Sequence, residues 1–132
     1  MAGLLSLVSS RMAPAFDAVQ PGADPVVRPS DRADFQANGA LPLARRGGAG
    51  NPRAVAEEIV GRLDTSGWCA KAEVAGPGFI NLTLDDGWLA ELVAAQAGDD
   101  RLGADRRSVS RLVVVDYGSP NVAKEMHVGH LR

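Results

Sequence analysis

Residues 112–132 read LVVVDYGSPNVAKEMHVGHLR and carry the strongest indication of fold in this sequence. The apolar run at residues 112–115 is typical of a buried strand, and a loop rich in Gly, Ser, Pro and Asn follows it. A strand, a loop of this composition and a helix that begins with small residues open a nucleotide-binding α/β sheet. The sequence stops soon after that helix begins, so we expect the rest of the machinery for its chemistry to be missing from these 132 residues.

Two histidines lie at the start of the predicted helix, where free backbone N–H groups and the helix dipole attract phosphate. His127 and His130 are three residues apart and therefore share one helical face. Two imidazoles there can donate hydrogen bonds to a triphosphate as charge moves in a transition state. Gly129 has no side chain and lets a flat adenine ring approach the backbone, and Lys124 can reach a phosphate as a mobile point charge.

Ser119 and Asn121 follow the predicted strand at its carboxyl end, where open α/β sheets bind their ligands. The histidine pair also has a spacing found in metal sites, but the acidic residues nearby are Glu125 and Asp116 alone, and no cysteine is near. A closed structural zinc site takes four ligands, so no metal site is predicted. A third interpretation is that the two histidines only cap or pack against a helix.

The composition indicates a soluble globular protein, with 45% hydrophobic residues and a net charge of −2. A nucleic-acid ligand would therefore require a local basic patch. The candidates for such a patch are Arg45, Arg46, Arg101, Arg106 and Arg107. Cys69 is the single cysteine, which excludes an intrachain disulfide and fits a reducing, cytoplasmic compartment. The apolar run near the amino terminus is too short for a signal peptide or a membrane span.

Three helices are predicted in the first half of the chain. Pro14 is expected to kink or divide the first of them, and the second is a short helix over residues 41–46. The third begins at Asn51, which can cap it, and at Pro52, which suits the first helical position. Gly67 is the predicted stop signal beyond that helix.

A β-hairpin is predicted next, with strands over residues 68–75 and 79–84 around a Gly-Pro-Gly turn. Alternate aliphatic residues of the second strand share one face, which must pack on helices. Phe79 and Asn81 share the other face. An aromatic ring beside an amide suits a nucleobase, which stacks on the ring and hydrogen-bonds to the amide. The same pattern also describes a half-buried Phe beside a solvated Asn, and the pattern alone leaves both interpretations open.

The chain is interpreted as two domains. Asp85 or Asp86 is expected to cap a helix that completes a first domain of residues 1–97. Residues 98–110 are polar and charged and are interpreted as a linker. Residues 111–132 then begin the second domain.

The sequence closely resembles the signature of arginyl-tRNA synthetases, a family of class I aminoacyl-tRNA synthetases, in residues 114–132. Residues 127–130, HVGH, match the "HIGH" motif of that family. Three further segments look like the amino-terminal domain of the family: DFQANG at 34–39, NPR at 51–53 and AGPGFIN at 75–81. The resemblance covers roughly residues 32–132, while residues 1–31 match it only loosely.

The resemblance implies an α+β amino-terminal domain, built as a small antiparallel sheet with helices, that contacts the D-loop of tRNA. In it, Phe79 and Asn81 would lie near that loop. The resemblance also implies a Rossmann-type α/β catalytic domain that starts near Arg111, of which this chain carries the first strand and the helix start. Gly118 stands where many members of the family have a second Ser.

The implied reaction attaches arginine to its tRNA through arginyl-adenylate, with ATP as substrate and Mg²⁺ accompanying it. Ser119 and Asn121 would contact arginine, and Gly129 the adenine, while Lys124 and both histidines would contact the phosphates of ATP. The second signature loop of the family and the acidic residues that would bind the guanidinium group do not occur in the sequence. We therefore expect the chain alone to be catalytically inactive.

The expected partners are arginine-accepting tRNA, ATP and L-arginine, with no membrane, and the full-length form is expected to be a monomer in the cytoplasm. The alternative hypothesis is a stand-alone RNA-binding or interaction module built on residues 1–97. A small nucleotidyltransferase with a His-x-Gly-His helix is disfavoured, because such enzymes lack a long α+β domain in front of that helix.

Overall fold

The computed structural model describes residues 3–46, 50–104 and 112–115 of the chain. Four helices and four strands occur in this part. In chain order they are α1 (Leu4–Asp17), β1 (Val27–Pro29), β2 (Phe35–Ala37), α2 (Ala40–Arg46), α3 (Pro52–Arg62), β3 (Cys69–Ala75), β4 (Phe79–Leu84) and α4 (Asp86–Ala97).

The strands form one antiparallel sheet in the order β1-β2-β4-β3. The predicted hairpin is present as β3 and β4, and a shorter hairpin of β1 and β2 adds to it along β4. At this junction Phe35 lies opposite Leu82 and Ala37 lies opposite Ile80. A small antiparallel sheet with helices was the predicted class for this part of the chain, and the structure confirms it.

The core lies between one face of the sheet and the helices. Ile80 and Leu82 in β4 are fully buried, as are Phe16 in α1 and Ile59 in α3. Burying a side chain of this size contributes about 1.5–3 kcal/mol. Because the helices cover only this face, the opposite face of the sheet, called the open face below, carries the exposed and half-buried side chains.

Two details of the helices differ from the prediction. Helix α1 is continuous through Pro14, so the expected division is wrong. Proline removes the N–H that would bond to the carbonyl of Ser10, but Ser10 is exposed and water can take that place. Helix α3 starts as predicted, with the Asn51 side chain accepting from the Arg53 N–H at 3.0 Å. It ends at Arg62 rather than near Gly67, because Leu63 is already extended at ψ 122°.

Residues 112–115, the predicted first strand of an α/β sheet, have no flanking strands in the described part of the chain and are exposed, as expected for such a strand without its neighbours. Within the described ranges they pair with no other strand, and their side chains are 65–96% exposed. A parallel strand is stable only between neighbours that cover both of its faces. None of the helices in the described part is both long and apolar enough to cross a membrane.

Candidate nucleic-acid interface

A row of polar side chains crosses the open face of the sheet. The register of the strands places four residues side by side, in the order Arg28, Gln36, Asn81 and Glu73. In the central strands β2 and β4 the neighbours of Gln36 and Asn81 are the side chains that point into the core, since successive side chains of a strand alternate between the two faces. The middle of the sheet therefore presents two amides to solvent, with a cation on one side and a carboxylate on the other.

The two amides are joined by a hydrogen bond. Gln36 Nε2 donates to Asn81 Oδ1 at 2.8 Å, and both side chains are partly buried. The two residues are 45 positions apart in the chain. A pairing of this kind appears only when β2 and β4 come together, so the sequence pattern that singled out Asn81 could not include Gln36.

Phe79 lies two residues before Asn81 on the same face of β4 and is partly buried. Its ring borders the Gly-Pro-Gly turn, where a β-carbon on Gly76 would sit 3.4 Å from Phe79 Cδ2. The structure therefore brings the predicted pair, Phe79 and Asn81, to one surface beside each other. It does so with the aliphatic residues of β4 buried beneath, as the alternation predicted.

The turn that carries Phe79 is held by the start of α3. Gly78 lies against Pro52, where a β-carbon would meet the Pro52 carbonyl oxygen at 2.7 Å. Arg53 Nη1 donates to the Gly76 carbonyl at 3.2 Å. At the other end of β4, Asp34 Oδ2 accepts the Leu84 N–H at 2.8 Å. These contacts fix both ends of the strand that presents the aromatic ring and the amide.

A groove of about 270 Å³ runs along the open face beside Phe79. Its lining consists of Ser30, Asp31, Arg32, Gln36 and Phe79. An aromatic ring, an amide and a guanidinium group are the groups that proteins use for a base and its phosphate. The groove therefore has the chemistry of a nucleotide contact.

The basic residues at this face are not the ones that the sequence suggested. Arg45 and Arg46 end α2, Arg101 follows α4, and Arg106 and Arg107 lie outside the described residues. Arg28 and Arg32 lie at the face instead. Their position depends on the pairing of β1 with β2. In the sequence, the apolar pair Val26-Val27 before Arg28 is the signal for β1.

The charges around the amide row are unevenly paired. Glu73 forms an ion pair with Lys71 at 2.8 Å, which offsets its negative charge. Arg28 and Arg32 form no ion pair with any residue in the described part of the chain. The β1 side of the open face therefore carries two guanidinium groups that are open to an anionic partner, with the Asp31 carboxylate in the same groove.

The predicted nucleotide-binding residues lie outside the described residues. They are Ser119, Asn121, Lys124, His127, Gly129 and His130. Across residues 3–46, 50–104 and 112–115, no three acidic, histidine or cysteine side chains come together as a metal site would need.

Comparison with known proteins identifies the family. Residues 4–84 match the model of the arginyl-tRNA synthetase N-terminal domain, and residues 92–132 match the catalytic domain of class I tRNA synthetases for arginine. These matches place the chain among the class I aminoacyl-tRNA synthetases. Within that class, the chain belongs to the arginyl-tRNA synthetase family.

Curated relatives agree with this assignment. The arginine–tRNA ligase of Thermobifida fusca is 52% identical over 125 residues, which is 95% of this chain and 21% of that protein. That of Streptomyces coelicolor is 48% identical over 140 residues, covering 100% of this chain and 24% of that protein. The chain thus spans about a fifth to a quarter of the length of these relatives.

A solved structure supports the fold. The crystal structure of arginyl-tRNA synthetase from Plasmodium falciparum superposes with a TM-score of 0.64 at 16% identity, covering 74% of this chain and 19% of that one. At this identity the likeness concerns the fold alone.

Proposed function

We propose that this chain supplies the tRNA-contacting domain and the start of the catalytic domain of an arginine–tRNA ligase. The names of the relatives and the two family matches support the activity. The proposed division has a tRNA-contacting domain at residues 1–97, a linker at 98–110 and the catalytic start at 111–132.

The proposed reaction has two steps. The carboxylate of arginine attacks the α-phosphate of ATP and displaces pyrophosphate, and a terminal ribose hydroxyl of the tRNA then takes the arginyl group and releases AMP. Ser119 and Asn121 would bind arginine, with Gly129 against the adenine. Lys124 and the two histidines would stabilise charge on the phosphates. Mg²⁺ would enter with ATP.

The observation that carries the RNA-binding half of the proposal is the shared face of Phe79 and Asn81. A base can stack on the half-buried ring and bond to the neighbouring amide, each such stack being worth about 1–3 kcal/mol. Arg28 lies opposite Gln36 in the strand register and Arg32 lines the groove with Phe79, so both are placed to take phosphates of an RNA strand bound on this face. A tRNA loop offers both unstacked bases and phosphates.

A chimeric enzyme tests the catalytic half. In it, this chain replaces the matching amino-terminal segment of the Thermobifida fusca enzyme, and ATP–pyrophosphate exchange is measured with arginine and its tRNA present. We expect activity, and we expect His127→Ala or His130→Ala to slow adenylation about 100- to 1000-fold with little change in arginine binding. No exchange by the chimera, or unchanged adenylation in both variants, would contradict the assignment.

Direct binding tests the RNA half. Phe79→Ala and Asn81→Ala should each weaken binding of the chain to an arginine-accepting tRNA about tenfold, while Thr83→Ala, on the same face of β4, should not. Arg32→Ala should reduce the slope of log affinity against log salt by about 1, because one phosphate contact is lost. Equal affinities for all four variants would exclude this face as the RNA contact.

The same two experiments separate the ligase from a stand-alone RNA-binding module. Tight tRNA binding by the chain with an inactive chimera would favour the module. We further expect the ligase to be monomeric and cytoplasmic, which sedimentation and cell fractionation would check.

A further inference from the structure

The hydrogen bond between Gln36 and Asn81 couples the orientations of the two amides on the open face. Gln36 Nε2 donates to Asn81 Oδ1 at 2.8 Å. The oxygen of Asn81 is therefore occupied, and its NH₂ group is directed away from Gln36. Within the described part of the chain, neither Asn81 Nδ2 nor Gln36 Oε1 has a hydrogen-bond partner.

This arrangement gives the open face a defined polarity. Asn81 keeps a free donor, its NH₂ group, and Gln36, which lines the groove together with Phe79, keeps a free acceptor, its Oε1. Asn81 can present its oxygen only if both amides turn over together, so that Asn81 Nδ2 donates to Gln36 Oε1. In the arrangement of the structure, the free NH₂ group favours a ligand group that accepts a hydrogen bond, such as a carbonyl oxygen or a bare ring nitrogen of a base.

We propose that Gln36 is a positioning residue for RNA contact, which acts by holding the Asn81 amide with its NH₂ group toward the base that stacks on Phe79. This inference rests on the proposed RNA-contacting role of the open face. Gln36 reaches Asn81 because the register sets the two residues directly opposite each other on β2 and β4. The pair is partly buried, so the bond is less exposed to competition from water than a bond on an open surface.

A double-mutant cycle tests whether Gln36 acts through Asn81. Gln36→Met keeps the length of the side chain and removes both polar atoms. Its effect on the affinity of the full chain for an arginine-accepting tRNA transcript is measured with Asn81 present and with Asn81→Ala. We expect about a fivefold loss in the first background and no further loss in the second. Thermal unfolding of each variant verifies that the domain is folded.

A second pair of variants tests the polarity itself. Gln36→Glu can only accept hydrogen bonds, so it turns the NH₂ group of Asn81 inward and presents the oxygen. It also adds a negative charge, and Thr83→Glu adds the same charge to the same face as a matched control. We expect Gln36→Glu to bind tRNA about tenfold more weakly than Thr83→Glu, and this ratio to persist as salt is raised, because screening weakens only the charge effect.

The outcomes separate this inference from the proposed function. If Asn81→Ala weakens binding while Gln36→Met has the same effect in both backgrounds, Gln36 does not act through Asn81 and the inference is overturned alone. Equal affinities of Gln36→Glu and Thr83→Glu would overturn it as well. If neither Phe79→Ala nor Asn81→Ala changes the affinity, the RNA-contacting role of the face fails, and the inference fails with it.

Discussion

At the scale of single residues, the turn after β2 depends on the absence of a side chain at Gly39. A β-carbon there would overlap the Asp24 carbonyl oxygen and would lie 2.6 Å from Phe16 Cε1 and 2.9 Å from the Pro25 carbonyl oxygen. Two of these neighbours are backbone atoms and the third is a fully buried ring. None of them can move without disturbing the core.

We predict that Gly39→Ala destabilises the domain by about 3 kcal/mol, since overpacking of this kind costs about 1–3 kcal/mol and occasionally more. Gly61→Ala is the matched control, because it lies in α3 with no atom within 4 Å of the added carbon. Alanine is the better helix former, so this variant should gain about 0.5 kcal/mol. Urea unfolding measures the stability of both variants. A Gly39→Ala variant as stable as the unmodified chain would show that the turn can relax.

Cys69 provides a prediction about pH. Cys69 is 6% exposed, and burial raises the pKa of its thiol. A group whose pKa is higher in the folded state contributes stability below its unfolded pKa, about 8.5, and loses that contribution as pH rises through the folded value. The free energy of unfolding should therefore fall above pH about 8.5, and less steeply in Cys69→Ala. Urea unfolding between neutral and alkaline pH measures how steeply stability falls with pH in the unmodified chain and in Cys69→Ala. An equal fall in both would show that Cys69 does not cause it.

At the scale of elements, α4 packs on the core through the partly buried Leu89 and Leu92 and through the buried Trp88. This is the buried residue of the helix, and its ring meets that of Trp68 edge-on with the centroids 6.2 Å apart. Trp68 is itself anchored, since its Nε1 donates to the Asp64 carbonyl at 2.7 Å. The start of the helix is secured separately, because the Asp85 side chain accepts the Trp88 N–H at 2.9 Å.

We predict that Trp88→Ala costs about 3–5 kcal/mol and loosens α4. Val93→Ala is the control in the same helix, since Val93 is 64% exposed and should change stability by no more than about 0.5 kcal/mol. Urea unfolding gives the stabilities, and hydrogen exchange along α4 reports the loosening. Unchanged exchange in Trp88→Ala would mean that other contacts hold the helix.

The elements that were predicted well are those whose signals are local. The Asn51-Pro52 start of α3 and the hairpin of β3 and β4 depend on caps, turns and alternation within a few residues. The sheet order β1-β2-β4-β3 could not be predicted, because the pairing of β2 with β4 brings together residues that are 45 positions apart in the chain. The end of α3 at Arg62, five residues before Gly67, has no local signal of that kind in the sequence.

At the scale of the whole molecule, residues 112–115 are an apolar run without a covering layer. Leu112 is 96% exposed and Val114 is 84% exposed. β-Branched runs of this kind with no charge are prone to pair with other chains. Self-association of the 132-residue chain is the expected consequence.

We predict that Val114→Lys reduces this self-association. Leu102→Lys is the control, because Leu102 is an isolated residue that is 73% exposed, and its replacement adds the same charge. Sedimentation velocity over a range of concentrations compares both with the unmodified chain. Equal association of all three would show that residues 112–115 do not mediate it.

The sequence by itself determined the faces of β4 and the pair Phe79 and Asn81, because periodicity and turn chemistry act over a few residues, while the class of the domain was implied by the family resemblance. The sequence also carries the family signature at residues 114–132. The binding roles of the site residues in that signature remain a prediction. Only the tertiary structure decided that Gln36 bonds to Asn81 and that Arg28 and Arg32 border them. Those relations depend on strand order and register, which are set by how the whole core packs and not by any one segment.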